Sequence, residues 1–185
     1  MAGDLPMSIT NDLWIKTQHA LERGDFTLLD DLLTAERASI IELLESNDPT
    51  ADELNEAFAW ACFNGRTADV EKLVEMGADP AKGDKTGMPG FHSAASRGHT
   101  ETVRALIRIG APLEQLNMYG GTVLGQTLWS TVNEPHAGQG EAIEHLIEAG
   151  AAIEPGTLTW WNKQQIASIE TKDRVAKALE KAEIL

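Results

Sequence analysis

Apolar positions along these 185 residues recur in short blocks at helical spacing, and each block is closed by glycine. The clearest block runs from Gly87 to Ala111. Phe91 is apolar, and Ala94 and Ala95 are small enough for a neighbouring backbone to come close. Gly98 stands where this short helix must end, because glycine accepts left-handed geometry without steric cost. Val103, Leu106, Ile107 and Ile109 then mark the buried face of a second helix, which Gly110 terminates. The pattern predicts helix, glycine turn, helix, glycine stop.

The punctuation repeats. A glycine before alanine falls at Gly77, Gly110 and Gly150, 33 and then 40 residues apart. The glycine between helices falls at Gly65, Gly98 and Gly138, with the same two intervals. Both markers place a seven-residue insertion ahead of Gly138, within Ser130 to Ala137, where it is expected to enlarge a turn. The leucine of the second helix extends the register outward through Leu32, Leu73, Leu106, Leu146 and Leu179. A second irregularity lies at 34–52. There Ile40, Ile41, Leu43 and Leu44 predict a short extra helix, broken by Asn47-Asp48-Pro49. At the far end Trp160 and Trp161 cannot share one core, since neighbouring helical residues diverge by about 100°. One hairpin of this kind cannot bury its own apolar face, so the pattern requires a stack.

The block G-M-P-G-F-H-S-A-A-S-R-G-H resembles an ankyrin repeat, whose pattern is roughly G-x-T-P-L-H-x-A-A-x-x-G-H. The resemblance implies an all-α, ankyrin-type α-solenoid of about five helix-turn-helix repeats with short hairpin loops. It is expected as one domain over 1–185, with units at about 11–45, 52–84, 85–117, 118–155 and 156–185. Pro89-Gly90 replace the family's Thr-Pro, so His92 lacks the threonine that usually meets it. In the fourth unit Thr122 is present, but Gly125 replaces the histidine. The opening Y-G-G-T-V-L-G-Q-T-L-W-S is similar to a variant common in bacterial ankyrin proteins, which points to a bacterial origin.

Composition narrows the function. Net charge is −14, and residues 1–56 carry −10 of it, from 13 acidic side chains against Lys16, Arg23 and Arg37. Such a chain repels phosphate backbones, so no nucleic-acid partner is expected. A basic protein would instead be steered to its N-terminal third. The chain has no apolar run near the roughly 18 residues of a membrane span. Its start, M-A-G-D-L-P-M-S-I-T, does not read as a secretory signal. Cys62 is a lone cysteine at an alanine position, expected as buried filler in a reducing compartment. A cytoplasmic monomer is the expectation.

Catalytic signatures are missing. The sequence has no phosphate-binding loop, no G-x-S-x-G and no paired Cys/His set, so no enzyme activity, cofactor or metal is expected. His92 and His99 fall on motif positions, which leaves His136, in the insertion, as the histidine without a structural explanation. The acidic pair Asp30-Asp31 reads as a solvated face. The resemblance implies instead that loop fingers and first helices grip a partner protein. Carried onto this chain, the candidate partner-binding residues are Trp60, Asn64, Lys85, Met88, His92, Ser96, Met118, Tyr119, Gln126, Trp129 and His136. The resulting expectation is a non-catalytic binding module, with an immunity or inhibitor protein for a basic partner as its more specific form. The alternatives are a scaffold or regulatory subunit of a larger assembly, and an enzyme with its site at 130–137.

Overall fold

The computed structural model describes residues 7–36 and 38–183; most of the stretch weighed as a signal, and residues 37, 184 and 185, lie outside it. The described residues form helices with no β-strand among them. In order they are α1 (Met7–Arg23), α2 (Phe26–Glu36), α3 (Ile40–Glu45), α4 (Ala51–Phe63), α5 (Thr67–Glu75), α6 (Gly90–Ser96), α7 (Thr100–Arg108), α8 (Val123–Asn133), α9 (Gln139–Glu148), α10 (Thr157–Lys163) and α11 (Ile169–Glu183).

Consecutive helices pair as hairpins, and the hairpins stack. Helices α4, α6 and α8 lie side by side in one row, while α5, α7, α9 and α11 form a second. The glycine-closed register explains this. Val70, Leu73, Val103, Leu106, Ile143 and Leu146, all fully buried, sit at matching positions after the turn glycines and fill the seam between rows. Thr67 and Thr102 add a hydroxyl pair at 2.8 Å between α5 and α7. Truncating one such leucine removes transfer energy and leaves a cavity, at about 2–5 kcal/mol.

Two glycines set the spacing of the stack. Gly98 has φ +73°, and a Cβ there would drive into the Ala137 carbonyl of the next turn. Gly90 allows a different approach: its Cβ would meet the Cys62 Sγ at 2.9 Å and the Phe58 ring at 3.0 Å. The proline of the family pattern therefore has no room at this position. Cys62 is fully buried, and that burial pushes its thiol well above the ordinary range.

Both irregularities take definite forms. At 34–52, Ser39 caps α3, and Ile40, Leu43 and Leu44 are buried. Helix α3 packs on α5, assisted by Lys72–Glu45 at 3.0 Å, and so occupies the outer row where α2 would stand by simple repetition. Leu32 is only half-buried as a result, and Leu29 and Leu33 carry the packing of α2. The second insertion differs from the sequence expectation. It lengthens α8 as far as Asn133 and leaves 134–137 as a short loop, rather than forming one enlarged turn. Thr127 and Thr131 hydroxyls bond back to the carbonyls four residues earlier, and Asn133 Nδ2 does the same to Trp129, so these polar side chains are satisfied within the helix itself.

The last hairpin is shorter than the sequence suggests. Helix α10 stops at Lys163 because Gln164 turns extended, which leaves Ile166 and Ala167 in the connection. Lys172 donates to the Asn162 and Gln164 carbonyls at 3.2 and 2.7 Å, a cation satisfying a helix C-terminus. Trp161 is fully buried and Trp160 faces outward, as the 100° divergence requires.

Candidate functional site

A groove of about 850 Å³ opens on the α4–α6–α8 row. Its floor is α6, through His92, Ser93, Ser96 and Arg97. One wall is α2, with Asp25, Phe26, Thr27, Asp30 and Asp31; the other is the lengthened α8 and its loop, with Gln126, Ser130, Glu134 and His136. Asp84, Thr86 and Met88 of the loop before α6 close the top. That loop is a turn, with an antiparallel bridge between Gly83 and Pro89. Asp84 Oδ1 accepts from the Thr86 and Met88 amides at 2.8 and 3.0 Å, an aspartate organising its own turn.

The α2 wall exists because α3 holds the outer row. Displaced inward, α2 lies over α4: Asp30 Oδ1 accepts the Trp60 indole N–H at 3.0 Å, and Phe26 meets Phe63 edge-on at 5.7 Å. Arg97 also rests on Phe63, its guanidinium carbon 3.9 Å from the ring centre. The opposite wall is pinned by Gln139, 1% exposed, which stands where His99 stands one unit earlier. Its Nε2 donates to the Ser96 carbonyl at 2.5 Å and the Glu134 carbonyl at 3.1 Å, and its Oε1 accepts from the His136 amide at 2.8 Å. One buried amide thus ties the insertion to α6.

The sequence candidates divide. Met88, His92, Ser96, Gln126 and His136 line the groove. Met118, Tyr119 and Trp129 lie outside it but are 56, 77 and 50% exposed, and Lys85 is exposed on its loop. Asn64 caps α4 by donating to the Trp60 carbonyl at 3.2 Å, and stands outside the groove. Trp60 requires correction as a contact residue: it is fully buried, because α2 covers it and Asp30 takes its N–H. Correspondingly, Asp30 is not merely solvated. His92 is also withdrawn, at 1% exposure, with Nε2 paired to the Gly121 carbonyl of the next loop at 3.0 Å. Its Nδ1 has no partner, since Pro89 offers no hydroxyl at the position where threonine would. Burial lowers its pKa, against the pull of the Gly121 and Gln115 carbonyls, of which only the first lies in hydrogen-bonding geometry. His99, by contrast, bonds the Phe63 carbonyl at 2.9 Å and joins two turns.

The α2 wall, Phe63 and Arg97 are not legible in the sequence as parts of this groove. The only available signal was the extra helix at 40–45, whose consequence is to displace its neighbour. Among the described residues no group of three His, Cys, Asp or Glu side chains is placed to hold a metal, and no helix is long and apolar enough to cross a membrane.

A family description of three ankyrin repeats matches residues 58–157. That span covers more than half the chain, from α4 to the start of α10, and this protein belongs to the ankyrin repeat family. Ankyrin repeats are generally protein–protein interaction modules. No curated protein matches the chain.

Proposed function

We propose that the whole chain is a single array of five ankyrin-like units. It acts as a non-catalytic module that captures a basic partner protein on its concave face, as a small inhibitor or immunity protein of bacterial type does. The observation that carries this reading is the groove itself. Five carboxylates, from Asp25, Asp30, Asp31, Asp84 and Glu134, meet there against the guanidinium groups of Arg23 and Arg97. Beside it stand exposed apolar side chains on the next finger, Leu116, Met118 and Tyr119, with Trp129 on α8. Aromatic side chains of this kind anchor interfaces, and surrounding charge speeds encounter and selects the partner. Preorganisation helps too, since a stacked solenoid loses little entropy on binding. A reducing, cytoplasmic setting suits the lone buried thiol.

Affinity purification at low and high salt, followed by mass spectrometry, tests the reading. Recovery of basic partners that salt releases supports it. Recovery of acidic partners only, or binding indifferent to salt, overturns the electrostatic capture.

A further inference from the structure

Both breaks in the repeat period end at the same groove. By filling the outer row, α3 sends α2 inward with its carboxylates, and the lengthened α8 carries Glu134 out to the far rim. Asp31 and Glu134 have no side-chain partner among the described residues, so each is a free anion at an opposite end. Asp30 spends one oxygen on Trp60, and Asp84 uses one within its own turn. Between the ends sits Arg97 on Phe63, where a cation would be repelled. The floor adds uncharged hydrogen-bonding groups. His92 Nε2 faces a carbonyl and therefore carries the proton, which leaves buried Nδ1 as an unpartnered acceptor; the Ser96 hydroxyl is buried and unpartnered as well.

Resting on the reading that this face binds a protein, we propose that the groove takes one extended basic segment of the partner. One lysine or arginine lies against Asp31 and a second against Glu134, with uncharged residues between them crossing the α6 floor. Two helix-to-helix spacings of about 8–10 Å separate α4, which α2 overlies, from α8. An extended chain rising about 3.3–3.6 Å per residue crosses that distance in about five or six residues. A helix rises only about 1.5 Å per residue and would need roughly twice as many. In the extended form proposed, the segment is therefore about five or six residues long and cationic at both ends.

The test uses the purified full chain and fluorescein-labelled synthetic peptides, with binding read by anisotropy. The probe carries two arginines at the matching spacing across a serine-alanine linker; controls carry adjacent arginines, one arginine, or two glutamates. The expected order is matched above adjacent or single, with no binding of the glutamate peptide. Asp31→Asn and Glu134→Gln, both exposed, are each expected to weaken the matched probe about threefold to tenfold, with unchanged circular dichroism. Each substitution should cost the one-arginine peptide less than the matched probe, because a single arginine can use whichever carboxylate remains. Equal binding of adjacent and matched peptides, or indifference to both substitutions, overturns the inference. The underlying reading is judged separately: a partner that cross-links to position 129 yet ignores both substitutions keeps protein binding and removes only the basic segment, whereas capture of no partner from either position 93 or 129 removes the reading itself.

Discussion

Asp30 holds the indole N–H of Trp60 at 3.0 Å, and this bond joins the first hairpin to the inner face of the second. It converts a tryptophan that repeat logic places on the binding face into a buried strut. It also fixes the α2 wall of the groove. Asp30→Ala is expected to leave the indole N–H unsatisfied and to destabilise the chain by about 1–3 kcal/mol. Amide exchange should show the loss concentrated in α1 and α2. An unchanged exchange pattern would mean that the hydrophobic contacts of α2 hold the wall without this bond.

The missing threonine at 89 leaves room for improvement. Pro89 has φ −66° and ψ 141°, close to the backbone of Thr50 and Thr122, which both cap their helices. Pro89→Thr should supply a cap for α6 and a hydroxyl for His92 Nδ1. The expected gain is about 1 kcal/mol in urea unfolding, after loss of proline's rigidity is set against it. Adding His92→Ala to the threonine variant should then remove more stability than His92→Ala alone. Equal costs in the two backgrounds would refute the pairing.

Glu56 makes stability depend on pH in an unusual direction. It is 3% exposed, with Oε2 on the Lys85 amide at 3.1 Å and Oε1 unpartnered. Burial and nearby Asp84, with a smaller push from Asp52, raise its carboxyl from 4.5 to about 7, against the Lys85 amide and ammonium. The folded state thus binds this proton more tightly than the unfolded state. The contribution is complete below pH 4.5 and is lost as the pH rises through 7. Glu56→Gln keeps an acceptor for Lys85 and carries no charge. It should therefore be more stable than the parent at pH 8, by up to about 3 kcal/mol, and similar at pH 4. A constant difference across that range would contradict the assignment.

Much of this architecture is legible in the sequence, and the parts that are not share a cause. The turn glycines and the seam residues from Val70 to Leu146 are local requirements of a helix hairpin, so spacing alone locates them. The extra helix at 40–45 is likewise visible as an apolar run. Its effect on α2 is not, because periodicity identifies a buried face without saying which neighbour buries it. For that reason the sequence alone presents Trp60 as a contact residue and Asp30 as a solvated one, whereas α2 buries the first and the second bonds it. The extent of α8 is not legible because Ser130 to Asn133 have weak helix preference of their own.

Gln139 offers a further check on the groove's second wall. Gln139→Ala removes every bond that ties the Glu134 and His136 backbone to α6, and should leave the Ser96 carbonyl without this donor. Stability is expected to fall by about 1–3 kcal/mol, with proteolytic cleavage accelerating within 134–137. Cleavage elsewhere, with that loop still protected, would show that other contacts hold it.

On the proposed function, the α4–α6–α8 face and not the outer row engages a partner. Photo-cross-linking in the native cell tests it most directly, with benzoylphenylalanine placed at Ser93 on the groove floor, at Trp129 beside it, or at Arg104 on α7. One common protein is expected from positions 93 and 129 and none from 104. Capture from 104 alone would contradict it.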